Sequence, residues 1–181
     1  MQDDLPTAVH WAVQRGLVDP QRVCIAGASY ATLMELARHP ETYRCGVAWI
    51  PLTDLELMLR EGSADDYSDE GRSELLPLLV ADRLAEGTLV QSISPVAQAS
   101  RIRAPVLLAW GEKDLRTPPA HAEAMRNELR RAGNPPQTVG YEGEGHGWLK
   151  IENHLDFARR LEAYPSRYLN AGAANVNVHQ R

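Results

Sequence analysis

The chain has 181 residues, of which 44% are apolar and 24% charged, with a net charge of −5. That is enough for one domain with one sizeable core and too little for two. An acidic balance without a basic run gives nothing that suggests nucleic acid, and no apolar run approaches the ~18 residues that a membrane span needs. The N-terminus, MQDDLPTAVHW, lacks the basic start and apolar stretch of a signal peptide, so the default compartment is the cytoplasm.

In chain order, Asp4 to Gly16 reads as a helix. Leu5, Val9, Ala12 and Val13 recur at helical spacing, and Gly16 suits a C-cap. Arg22 to Ala26 is a short apolar run followed by Gly27-Ala28-Ser29. Runs of this kind fit parallel strands covered on both faces. Ala31 to Arg38 is predicted helical, with Pro40 ending it. Cys45 to Ile50 is a second strand. Cys24 and Cys45 each fall in such a run and read as buried free thiols rather than a secreted disulfide framework.

Leu55 to Arg101 is long for a crossover. It holds an acidic loop (Asp65, Asp66, Asp69, Glu70) and then apolar helical segments near Leu75 to Leu84. It reads either as a cap over a site or as a solvated loop with ordinary packing helices. Pro105 to Trp110 is a third strand, Ala120 to Arg131 a helix, Thr138 to Tyr141 a fourth strand and His154 to Tyr164 a helix. Strand and helix alternate. The fold class is therefore α/β, a mainly parallel sheet of about four strands flanked by helices. Residues 1–169 form a single domain, and 170–181 read as a tail without periodicity.

Three residues stand out, each after a strand. Ser29 follows the first strand in the layout strand, Gly27-Ala28-Ser29-Tyr30-Ala31, helix. This is the pattern of a nucleophile elbow, which exposes the serine oxygen at the carboxyl end of a sheet. The pentapeptide by itself also fits a plain tight turn, and its last glycine is replaced by Ala31. In an elbow the Tyr30 N–H faces the developing oxyanion. Asp114 follows the third strand, where catalytic groups collect in open α/β sheets. It suits the acid that orients a histidine, or equally a carboxylate capping the next helix; Asp54 is a rival acid. His146 sits in Glu142-Gly143-Glu144-Gly145-His146-Gly147, which reads as a mobile loop presenting an imidazole. Histidine supplies a general base near neutrality without tuning. His10, His39, His121, His154 and His179 read as structural or surface residues.

The stretches RVCIAGASY, ATLMELARHPETYRCGVAW, SPVAQASRIRAPVLLAWGEKDLRTP and YEGEGHGWLKIENHLDFARRLEAY resemble the C-terminal part of the catalytic domain of prolyl oligopeptidase family serine peptidases. The dipeptidyl-peptidase and acylaminoacyl-peptidase types are the most similar. The resemblance implies a truncated α/β-hydrolase fold, Ser29 as nucleophile, Asp114 as orienting acid, His146 as base and the Tyr30 N–H as one oxyanion donor. Two departures follow from it. A Gly-Gly-Tyr-like tripeptide of the family pattern is missing between Tyr30 and Ala31, so the elbow must be re-formed. Three residues fall ~60° short of a full helical turn, so the next helix should rotate by that much or lose part of its first turn. The chain also starts at the helix before the nucleophile strand, without the earlier loop that supplies the other oxyanion donor.

The expected activity is hydrolysis of a small ester or peptide through an acyl-enzyme. The alternative is a catalytically impaired remnant that serves as a binding or scaffold module. No metal motif or phosphate-binding loop occurs, so no cofactor is expected. The acidic run at 65–70 reads as a solvated loop rather than a cation site. An open edge on the Arg22–Ala26 strand predicts self-association, most simply a homodimer.

Overall fold

The computed structural model describes residues 4–61 and 83–170. The elements are α1 (Asp4–Gln14), β1 (Ile25–Ala28), α2 (Ala31–Arg38), β2 (Gly46–Trp49), α3 (Leu55–Glu61), α4 (Arg83–Ser92), a 3-10 segment (Pro95–Arg101), β3 (Val106–Gly111), α5 (Pro119–Arg131), β4 (Gln137–Tyr141) and α6 (Ile151–Leu169). The acidic loop and most of the helical stretch expected near residues 75–84 lie outside the described residues. So does the tail beyond Asn170.

The four strands form one sheet in the order β1-β2-β3-β4, every pair parallel. Each crossover thus moves one strand over in the same direction. Right-handed crossovers then place their helices on one face. The packing agrees. Leu33 and Leu36 of α2, Ala99 of the 3-10 segment and Met125 and Leu129 of α5 share a buried cluster with Ala48, Leu108 and Trp110. On the other face Val47, Leu107 and Ala109 meet Phe157 and Tyr164 of α6, together with Tyr141 and Trp148. Alternate residues of β2 and β3 feed opposite cores, so both strands are apolar throughout. That is why PVLLAW is the plainest strand signal in the chain. Helix α1 buries no side chain fully and meets the first core through Val9.

The bounds of strand β1 and helix α6 differ from the sequence reading in ways that the packing explains. Strand β1 begins and ends later, at Ile25 and Ala28, because Gly27 and Ala28 pair with Ala48 and Trp49. Helix α6 does not stop at Tyr164 but runs through Pro165 to Leu169. Tyr164 and Tyr168 both pack into the core formed by Val47, Leu107 and Ala109, so tertiary contacts hold the turns on either side of the proline. Arg22 finishes the helix: its Nε donates to the Leu169 carbonyl at 2.8 Å and its Nη2 to Asn170 Oδ1 at 3.3 Å.

The cysteines are not free thiols. Cys24 and Cys45 form a disulfide, with Cα atoms 4.8 Å apart. The register explains it. Ile25 pairs with Gly46, so the residues just before them face each other across adjacent parallel strands. Sequence alone gives no register, and so no pairing.

Candidate active site

All the candidate residues follow strand ends at the carboxyl side of the sheet, where open α/β sheets collect ligands. Ser29 comes directly after β1 with φ 61°, a left-handed conformation that a non-glycine residue seldom adopts. Its N–H donates to the Trp49 carbonyl at 3.1 Å, extending the β1–β2 ladder by one residue. Helix α2 starts two residues later, at Ala31. The elbow is thus re-formed within Ser29-Tyr30. A Cβ at Gly27 would stand 2.7 Å from Thr32 Oγ1, so the close strand-to-helix approach needs glycine there.

The eight-residue α2 has six consecutive buried residues, Thr32 to Ala37. They include Glu35, whose Oε1 accepts from the Tyr43 hydroxyl at 2.9 Å while Oε2 has no hydrogen bond among the described residues. Burial pushes the Tyr43 phenol well above its ordinary value, helped by the carboxylate beside it. Tyr30 turns its ring toward the small cluster around Leu55 and Val90, and its hydroxyl donates to the Ile93 carbonyl at 2.6 Å. That bond fixes the residue whose N–H opens α2.

Asp114 lies on the turn after β3 and is buried. Its Oδ1 accepts the N–H groups of Arg116 (2.8 Å) and Thr117 (2.9 Å), and its Oδ2 accepts the Thr117 hydroxyl (2.9 Å). The same Oδ2 lies 2.9 Å from His146 Nδ1, with Oδ1 at 3.2 Å. A carboxylate can only accept, so Nδ1 carries the proton and Nε2 is left as the basic nitrogen. The Asp114 side chain is fully buried while that of His146 is 27% exposed, so the pair runs from the interior toward solvent. No hydrogen bond among the described residues joins Ser29 Oγ to the imidazole. The rival acid Asp54 caps α3, its Oδ1 accepting the N–H groups of Glu56 and Leu57 at 2.9 and 3.1 Å.

The loop carrying His146 is held on both sides of the histidine. Glu144, two residues earlier, is fully buried. Its Oε2 accepts the Leu149 N–H at 2.8 Å, and its Oε1 accepts the Lys150 N–H at 3.0 Å and Asn153 Nδ2 at 2.6 Å. These bonds, the Leu149 N–H foremost and then Asn153, hold the Glu144 carboxyl below its ordinary value. Trp148, two residues later, is buried with its ring 4.5 Å from Tyr141 and 5.5 Å from Phe157. Three further features of the site escaped the sequence reading. Thr117 stands against both Asp114 Oδ2 and His146 Nδ1, the latter at 3.3 Å. Glu144 carried a weak signal: an acidic residue in a glycine turn just before a helix start. Ile50, at the end of β2 between the serine and aspartate strands, has φ 44°, which is strained for a β-branched residue. Its carbonyl lies 3.4 Å from Thr117 Oγ1.

A parallel sheet with a left-handed serine at one strand end and a histidine–aspartate pair on two later ones defines an α/β-hydrolase-type protein. The chain belongs to the prolyl oligopeptidase family, whose profile matches residues 1–172. It is 29% identical to dipeptidyl aminopeptidase BIII of Pseudoxanthomonas mexicana, over 97% of this chain and 26% of that one. It is 25% identical to acylamino-acid-releasing enzyme 2 of Oryza sativa subsp. japonica, over 97% and 23%. In structure it is similar to a Mycobacterium tuberculosis puromycin-hydrolyzing peptidase, with a TM-score of 0.83 at 23% identity over 93% of this chain and 25% of that one. A solved puromycin hydrolase gives a TM-score of 0.76 at 27% identity, over 89% and 23%. The chain spans about a quarter of the length of the relatives it matches.

Proposed function

We propose that this chain is a serine hydrolase that cleaves a small ester or peptide through an acyl-enzyme. Ser29 Oγ attacks the substrate carbonyl while His146 Nε2 takes its proton, giving a tetrahedral oxyanion. The Tyr30 N–H, at the start of α2, donates to that oxygen. On collapse the proton passes from His146 to the leaving group and Ser29 stays acylated. Water then repeats the sequence and releases the acid. Asp114 orients the imidazole throughout and stabilises its charged form. The observation that carries this reading is the 2.9 Å contact between His146 Nδ1 and the buried Asp114 carboxylate. Membership of a serine peptidase family supports it independently.

Short-chain p-nitrophenyl esters are the substrates of choice, because an activated leaving group asks least of the oxyanion hole. The test is labelling with a fluorophosphonate probe, with ester hydrolysis alongside. We expect covalent modification at Ser29 and loss of both signals in Ser29→Ala. Undiminished hydrolysis in that variant overturns the assignment.

A second reading has its own support. No hydrogen bond among the described residues joins Ser29 Oγ to His146, and the family's tripeptide after Tyr30 is absent. On that reading the chain keeps the fold as a binding or scaffold module, and the probe leaves Ser29 unmodified. We further propose self-association through β1, which lies at one end of the sheet with Ala26 and Ala28 exposed. Sedimentation at micromolar concentration should then show a dimer, and a stable monomer contradicts it.

A further inference from the structure

Glu144 is a fully buried carboxylate for which the reaction above has no use. A charge is rarely buried unless it is paired or fully hydrogen-bonded, and Glu144 is the latter. All three donors to its side chain, the Leu149 and Lys150 N–H groups and Asn153 Nδ2, come from the corner where the loop after His146 enters α6. The main chain of the same residue faces the opposite way. Its carbonyl accepts the Lys113 N–H at 2.8 Å, one residue before Asp114. One residue therefore bonds both to the turn that carries the aspartate and to the helix start that closes the histidine loop.

We propose that Glu144 is a positioning residue, which sets the His146 imidazole against Asp114 by tying the loop before it to the first turn of α6. This rests on the reading of His146 as general base. The two ends of the loop are held by different means: Trp148 is packed in the aromatic core, and Glu144 is hydrogen-bonded. Without the second anchor the turn at Gly145 can pivot about Trp148, and His146 sits on that turn. Displacement of a catalytic group by ~1 Å is enough for a ~100-fold loss of rate. The need is for an acceptor at both side-chain oxygens. Glu144→Gln keeps the shape but turns one acceptor into an NH2 group, so that a donor meets the donors of Leu149 or of Lys150 and Asn153.

The experiment uses the full chain and two independent readouts. The first is the NMR signal of the His146 Nδ1 proton, which a hydrogen bond to a buried carboxylate moves far downfield. The second is the steady-state kinetics of p-nitrophenyl ester hydrolysis with its pH profile. In Glu144→Gln we expect the downfield signal to be lost or shifted, kcat to fall about 10- to 100-fold with little change in KM, and the limb of the pH profile set by His146 to move. Asn153→Ala removes one donor and leaves the carboxylate. It should shift the same signal less and lower kcat by about 2- to 10-fold, so it carries the test if Glu144→Gln does not fold. A folded Glu144→Gln with an unaltered His146 signal overturns the proposal. So does an unaltered signal in Asn153→Ala if the first variant is unfolded. If the wild-type chain shows the downfield proton but does not turn over ester, the hydrolase reading fails, and the NMR comparison still decides the role of Glu144.

Discussion

Gly111, the last residue of β3, lies directly under the backbone of Glu144: a Cβ added to it would stand 2.5 Å from the Glu144 carbonyl oxygen. The histidine loop therefore crosses the end of the aspartate strand in van der Waals contact, and the crossing requires glycine. In Gly111→Ala the loop must lift or the strand end must bend, since the obstacle is main chain. Overpacking of this kind costs about 1–3 kcal/mol. For a domain of this size that lowers the melting temperature by about 2–12 °C. Thermal denaturation checks it, and fluorophosphonate labelling should slow in parallel. An unchanged melting temperature contradicts the close approach.

Thr117 offers a finer probe of the same pair. Its hydroxyl donates to Asp114 Oδ2 and stands 3.3 Å from His146 Nδ1. Thr117→Val keeps the shape and removes the donor. Loss of one hydrogen bond of about 0.5–1.5 kcal/mol predicts a fall in kcat/KM of about 2- to 10-fold. Esterase kinetics measure it. A loss as large as that of Ser29→Ala would mean that Thr117 does more than support the aspartate.

The Glu35–Tyr43 contact gives a prediction about stability alone. Glu35 is fully buried in α2, and the Tyr43 hydroxyl at 2.9 Å is its hydrogen-bond donor among the described residues. Tyr43→Phe strands a buried acceptor, which costs about 1–3 kcal/mol. Replacing both partners, in Glu35→Leu with Tyr43→Phe, should recover most of that loss, because no polar group is then left unpaired. Urea unfolding of the two single variants and the double variant tests the coupling.

Two carboxylates predict the response to acid. Glu144 is held below its ordinary value by its hydrogen bonds, that from the Leu149 N–H first. Asp156 is lowered by the Arg160 guanidinium and then by the Tyr141 hydroxyl. In the acid range the unfolded chain binds more protons at these sites than the folded one, so stability rises with pH there. Their contribution is complete above the ordinary carboxylate range of about 4 and is lost as pH falls through the lowered values. The urea midpoint should hold steady from about pH 7 to 5 and drop below about 4. The acid slope should be shallower in Glu144→Gln, and a slope equal to that of the wild type contradicts the assignment.

Features carried by local pattern were legible in the sequence. β3 was plain because both faces of PVLLAW are buried, and α2 because Pro40 ends it. Ser29, Asp114 and His146 were legible because each follows a strand and is set among turn residues. What depends on register or on long-range pairing was not. The Cys24–Cys45 disulfide follows from Ile25 pairing with Gly46, which no property of either segment announces. Helix α6 passes Pro165 because tyrosines pack around it, which overrides the local penalty. The glycines around His146 looked like freedom. Two of them, Gly143 (φ 78°) and Gly147 (φ 137°), instead supply backbone conformations that other residues seldom adopt.

The contact between Arg22 Nε and the Leu169 carbonyl joins residues 147 positions apart. It brings the lead-in to the first strand beside the last turn of the final described helix, so the body from β1 to α6 closes on itself. Sequences whose ends meet in this way tolerate relocation of their termini. A circular permutant that joins Asn170 to Gln21 through a short linker, and opens between the exposed Ala132 and Gly133, should therefore keep the sheet. It would also keep the Asp114–His146 pair, although these two residues would then lie near opposite ends of the chain.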